Sequence, residues 1–138
     1  MTADPAAERA LRLLIVAVLA VSIDSRVISA VLPAMAEDFD VTVGRIGIIV
    51  TAYLLPYGLF QLIYGPLADR VGQLRVISIA AVAFALSDIA CAIAPSLALL
   101  TLSRFLAGMT AAAIIPLTLS FIGQTVPYAE RQPRLALV

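Results

Sequence analysis

Residues Tyr64 to Arg75 read YGPLADRVGQLR. Asp69, Arg70 and Arg75 stand there beside a proline and two glycines, while long apolar runs lie on both sides. Glycine and proline among charges are turn chemistry. Two apolar runs of about twenty residues joined by such a corner are two membrane-crossing helices and their connection.

The rest of the chain agrees. Of 138 residues 62% are hydrophobic, and mean hydropathy is +1.06. A soluble domain is nearer ~45–50% apolar, so the excess marks an integral membrane protein. Nine acidic residues balance nine arginines, with no lysine and zero net charge, which excludes a basic nucleic-acid surface. There is no histidine and one cysteine, Cys91. Catalytic Ser-His or Cys-His pairs and His/Cys metal sites cannot be built from this set, so no enzyme, metal or cofactor is expected.

Four segments are long and apolar enough to span: 13–32, 46–67, 76–94 and 97–122. The fold class is therefore all-α. Pro56 and Pro116 fall inside spans, where neighbouring helices re-satisfy the freed carbonyls, so they are read as kinks. The first span carries Asp24 and Arg26 and exceeds the usual length of a signal-peptide core, so it is read as a permanent helix. Arginines set the orientation. Arg9 and Arg12 precede the first span, Arg70 and Arg75 follow the second, and Arg131 and Arg134 follow the fourth. The first connection opposes Arg45 with Glu37, Asp38 and Asp40, and the third has no charge. Both ends and the YGPLADRVGQLR corner are thus expected in the cytoplasm.

Four ionisable residues lie within spans: Asp24, Arg26, Asp88 and Arg104. Each opposes insertion by about 2.5–3.5 kcal/mol near a helix centre, so lipid-facing packing would not retain them. All four lie about two turns from the outer end of their spans, roughly 10–13 Å deep. Asp88 and Arg104 are nearly mirror-placed about the tight APS turn, which suggests a structural ion pair. Asp24 and Arg26 are about 200° apart on their helix and cannot share a face. Arg26 shares its stripe with Ser22, Ser25 and Ser29. Asp24, Arg26 and Arg104 are read as a polar site in which a carboxylate exchanges a proton, as ion-coupled transport requires. In span two, Gly47, Thr51, Gly58 and Gly65 form a small-residue stripe suited to helix contact, as does Gly108 beside Arg104. Tyr53, Tyr57, Gln61 and Tyr64 form a second stripe, with packing or substrate lining both open.

The corner GPLADRVGQLR resembles the loop between the second and third helices of major facilitator superfamily transporters. Gly65, Leu67, Ala68, Asp69, Arg70 and Gly72 match that pattern, while Gln73 and Leu74 stand where basic residues are usual and Arg75 follows. DSRVISAVLP, Asp24 to Pro33, is similar to the first-helix pattern of drug:proton antiporters, with Arg26 for Thr and Ser29 for Asn. LSRFLAGMTAA in span four resembles the family's fourth-helix motif through Arg104 and Gly108, and VPYAERQPRLAL looks like the loop leading to a fifth helix.

The resemblance implies one three-helix repeat plus the first helix of the next, within a two-half fold. It implies that Asp69 meets the eleventh helix and steadies the outward-facing state, with Gly65 allowing close helix contact. It implies proton coupling at Asp24 and Arg104, with efflux of a drug or metabolite across a bacterial cytoplasmic membrane. The partners expected are membrane lipid, a small-molecule substrate, protons and the remainder of the transporter, with the chain non-transporting alone. Two other readings stay open on the residues: a self-contained four-helix protein that oligomerises, as small multidrug transporters do, and a membrane scaffold subunit.

The orientation is checked by thiol labelling. A cysteine at Arg70→Cys should react with a membrane-impermeant reagent only after cells are opened; labelling of intact cells would reverse the topology.

Overall fold

The structure is a computed structural model that describes residues 5–125, with side chains from Arg9 to Gln124. The tail resembling a fifth-helix loop, with Arg131 and Arg134, lies outside the described residues. Five helices follow in order: α1 (Pro5–Asp38), α2 (Val43–Ile46), α3 (Ile48–Val71), α4 (Gln73–Ala92) and α5 (Leu97–Thr125). The one-turn α2 leads into α3, so four helical rods are long and apolar enough to cross a membrane.

The rods run past the apolar spans into the charged connections. α1 continues through Pro33 to Asp38 rather than stopping at Leu32. The helix-forming run Ala34–Glu37 carries it on, and its end is built two turns later. Asp40 takes the left-handed conformation at φ 49°, tolerated by a short polar side chain. Asp40 N–H then donates to Glu37 O at 3.1 Å and Val41 N–H to Ala36 O at 2.9 Å, the Schellman pattern. Val41 packs with Ala36 in the same apolar cluster, the contact that accompanies this stop. Thr42 caps α2, its Oγ1 accepting from Arg45 N–H at 3.3 Å.

The Tyr64–Arg75 corner is tighter than its sequence suggested. Helix α3 persists through Pro66, Asp69 and Arg70 to Val71, and α4 starts at Gln73. The expected loop shrinks to Gly72 alone. Its φ of 99° belongs to glycine, and its N–H closes α3 by donating to Ala68 O at 2.9 Å. Gln73 Nε2 donates to Ser120 Oγ at 2.9 Å, tying the start of α4 to α5. Helices α3 and α5 also pass Pro56 and Pro116 unbroken.

Helix α5 is the centre of the group, packing chiefly on α3 and α4 and less extensively on α1. Its small residues make this possible: Ala107, Ala111, Ala112 and Ala113 are fully buried. At Gly108 the approach is backbone to backbone. A β-carbon there would fall 2.8 Å from Tyr53 C and 2.9 Å from its Cα, and would collide with the carbonyl oxygen. The outer surface is correspondingly apolar, with Leu62 79% and Ile93 73% exposed, as lipid-facing positions are. Two interior clusters form, one of α1, α3, α4 and α5 residues around Val18, Phe84 and Ala111, the other around Ala36, Ile49 and Leu100. Arg104 lies on α5 between Leu100 of the second and Ala107 of the first.

Gly108→Ala should lower stability by about 1–3 kcal/mol through overpacking. Gly44→Ala, which meets nothing within 4 Å, should change it by less than about 0.5 kcal/mol. Thermal unfolding of the purified protein in lipid checks both; equal effects would place the tight crossing elsewhere.

Candidate functional site

Arg104 is 2% exposed and its partner is Asp24 of α1, 16% exposed. Nη1 donates to Asp24 Oδ1 at 2.8 Å and to Oδ2 at 3.0 Å. The guanidinium carbon lies 4.4 Å from the centre of the Tyr53 ring on α3. That is a cation–π contact in a desolvated setting, worth about 2 kcal/mol. Tyr53 stacks on Tyr57 with centroids 5.8 Å apart and planes 13° from parallel. One cation thus draws three helices together: α5 supplies it, α1 neutralises it and α3 supports it. The Gly108 crossing brings Tyr53 under the arginine one turn away. Removing one partner of such a pair costs about 3–5 kcal/mol, because the other charge is left buried.

Asp88 is not the arginine's partner, which corrects the expected Asp88–Arg104 structural ion pair. Mirror placement about the APS turn fixes height but not azimuth. The buried face of α4 runs through Val76, Ile77, Ala80, Phe84 and Ser87, and Asp88 lies at the margin of that stripe. It nonetheless shares the site. A cleft of about 420 Å³ between α1, α4 and α5 is lined by Asp24, Asp88, Cys91 and Arg104 together with apolar side chains. Asp88 Oδ1 and Arg104 Nε are both buried there without a hydrogen-bond partner.

Arg26 stands apart from this group, and the expected three-charge cluster divides. It lines a separate cleft of about 270 Å³ with Ser22, Ser25, Tyr53 and Tyr57. Ser25 Oγ donates to Ser22 O at 3.0 Å, so this hydroxyl is held on α1 itself. Gln61, half-buried about two turns further along α3, lines neither cleft. Of the glycines expected in helix contact, only Gly108 makes one. A β-carbon added at Gly58 or Gly65 would meet nothing within 4 Å among the described residues, and the eleventh helix expected against Gly65 lies outside this chain. Gly47 touches only the backbone of Val43 and Gly44, serving the α2–α3 joint.

At the other end of the bundle, Asp69, Gly72, Gln73 and Arg75 rim a cleft of about 450 Å³ closed by Phe121 and Gln124 of α5. Asp69, Arg70 and Arg75 are exposed, and among the described residues no ion pair holds them. No group of histidine, cysteine or acidic residues able to hold a metal occurs among the described residues.

Sequence reasoning missed Tyr53 as the platform of Arg104, assigning it instead to a stripe of four. The signal was available in Gly108: a glycine one turn from a buried arginine marks where another backbone comes close.

A model of the Major Facilitator Superfamily matches residues 14–138. The chain is 39% identical over 93 residues to the uncharacterized MFS-type transporter YceJ of Bacillus subtilis (strain 168), covering 67% of this chain and 24% of that protein. It is 35% identical over 105 residues to multidrug resistance protein D of Escherichia coli (strain K12), covering 74% and 27%. With the multidrug efflux pump LfrA of Mycolicibacterium smegmatis (strain ATCC 700084 / mc(2)155) it shares 37% over 113 residues, covering 82% and 22%. The chain thus spans about a quarter of the length of these relatives. Four apolar rods, a one-glycine corner and a match along nearly the whole sequence converge: the chain belongs to the Major Facilitator Superfamily.

Proposed function

We propose that the chain forms the first four helices of a secondary transporter that expels a small molecule in exchange for protons. Its membrane is a bacterial cytoplasmic one, with both ends of this segment inside. The observation that carries the reading is the buried Asp24–Arg104 pair. Ion pairs of this depth are expensive to insert, and their use is as a charge that can be switched. A proton arriving from outside neutralises Asp24. The carboxylic acid no longer matches the guanidinium, and the contact between α1 and α5 loses its strongest term. Release of the proton to the cytoplasm restores the pair. Each turnover thus moves one proton through Asp24, and the strength of the α1–α5 contact follows its protonation.

The substrate belongs to the other cleft. There Arg26, Ser22, Ser25 and Tyr57 offer a cation and hydroxyls at membrane depth, which suits a polar or anionic group on the transported molecule. Asp69 at the Gly72 corner steadies the outward-facing state by contact across the cytoplasmic face with the eleventh helix, as the resemblance implies, while Arg70 and Arg75 hold the corner on the cytoplasmic side. Their exposure and lack of a partner among the described residues support this. The names of the relatives, which include multidrug efflux pumps, support export over uptake.

The test is made on the transporter carrying this sequence, reconstituted into proteoliposomes under an imposed pH gradient. Asp24→Asn should abolish pH-driven substrate exchange while the protein still inserts. Coupling equal to wild type in that variant would remove Asp24 from the mechanism.

A further inference from the structure

The cleft between α1, α4 and α5 holds two carboxylates and one cation. With both acids ionised the trio carries one net negative charge in hydrocarbon, a costly state. One bound proton cancels it. Nη1 of Arg104 alone serves both oxygens of Asp24, and Nε is left buried without an acceptor. Asp88 Oδ1, on the same cleft, is buried without a donor. An unmatched donor and an unmatched acceptor thus line one cleft, both already sealed from solvent by this chain's own atoms. Buried polar atoms are paired in the great majority of proteins, so two orphans in one cleft call for an explanation.

We propose that Asp88 is the second seat of Arg104: one proton is shared between Asp24 and Asp88, and the guanidinium pairs with whichever carboxylate is ionised. In the state seen here Arg104 holds Asp24, and the proton is on Asp88. When that proton passes from Asp88 to Asp24, the guanidinium turns towards α4 and pairs with the newly ionised Asp88. Net charge in the cleft stays at zero throughout. The Tyr53 ring suits this movement. A cation–π contact has little preference for the in-plane orientation of a guanidinium lying over the ring, so the arginine can rotate without losing its support.

Two further titratable groups face the trio. Tyr53 of α3 lies under the guanidinium with its hydroxyl buried and unpaired, and Cys91 of α4, one turn beyond Asp88, lines the same cleft within reach of Arg104. On α1 Arg26 lines the other cleft, and Arg104 is the charge contributed by α5. The inference rests on the proton-coupled reading above, and it adds that α4 takes part: protonation at α1 becomes a shift of the arginine's bond from α1 to α4.

Two measurements on the purified transporter in lipid nanodiscs test it, neither requiring a known substrate. Thermal unfolding of wild type, Asp24→Asn, Asp88→Asn and the double variant forms a cycle. If Asp88 receives the arginine, Asp24→Asn keeps much of its stability. The double variant, with Arg104 buried alone, then loses more in melting temperature than the two single losses summed. Strictly additive losses would overturn the proposal. The infrared carboxylic-acid C=O band gives an independent readout on variants that remain folded. At neutral pH, wild-type-minus-variant spectra should show one protonated carboxyl missing in Asp88→Asn. The same band should be missing in Asp24→Asn, because Asp88 is then ionised against Arg104. A band that persists in Asp24→Asn means Asp88 never takes the seat. The transport assay separates the two levels. Additive stability with coupling lost in Asp24→Asn removes Asp88 alone, whereas coupling retained in Asp24→Asn removes the proton-coupled reading beneath it.

Discussion

A fully buried arginine must be answered by the protein around it, and the arrangement of these helices follows from that requirement. Arg104 sits between two apolar clusters of the bundle, 2% exposed, where lipid cannot solvate it. Its charge is met by Asp24 from α1 and its flat face by Tyr53 from α3. Without a hydrophobic driving force between helices in lipid, close packing and polar contacts must supply the association. Between α3 and α5 close packing supplies it, through Gly108. Between α1 and α5 the packing is less extensive, and the ion pair carries a larger part of the attachment.

The YGPLADRVGQLR corner obeys a different constraint. Two rods that must reverse direction at the membrane surface within a single residue need a backbone conformation that side chains resist, and Gly72 provides it. The charges around it therefore sit on helix ends rather than in a flexible loop. Asp69, Arg70 and Arg75 are presented at fixed positions on a rigid frame, with Gln73 bonded across to Ser120. Rigid presentation suits the eleventh-helix contact proposed for Asp69, since a flexible loop would follow its partner through every state.

How much of this was legible beforehand depended on whether the information was one-dimensional. Hydropathy length is, so the four spans and the all-α class could be read directly. Depth along a helix is also one-dimensional, and it put Asp24, Asp88 and Arg104 at one height. Pairing is not, because it requires the azimuths of three helices relative to one another. Sequence separation favoured Asp88 for Arg104, yet Asp88 lies at the edge of α4's buried stripe and Asp24, 80 residues away, took the bond. Helix ends failed in the opposite direction. Charged residues were read as loop, although a helix at a membrane surface can continue into them as long as no residue breaks it. The glycine stripe of α3 was legible as a stripe, but a stripe does not state its partner: a β-carbon added at Gly58 or Gly65 would meet nothing within 4 Å among the described residues.

The division of charges on α1 follows from helical geometry. Asp24 and Arg26, two residues apart, point in nearly opposite directions, and the structure uses both. The acid turns into the bundle and meets Arg104. The arginine turns to a cleft lined with serine and tyrosine. Had the two shared a face, they would have neutralised each other and left Arg104 without its carboxylate. In the proposed cycle this separation has a mechanical consequence. Because both side chains hang from one rigid helix, a shift of α1 that follows the loss of the Asp24 contact also displaces Arg26 in its cleft. One helix then couples the two clefts with no further moving part, which is the minimum that exchange of a proton for a substrate requires.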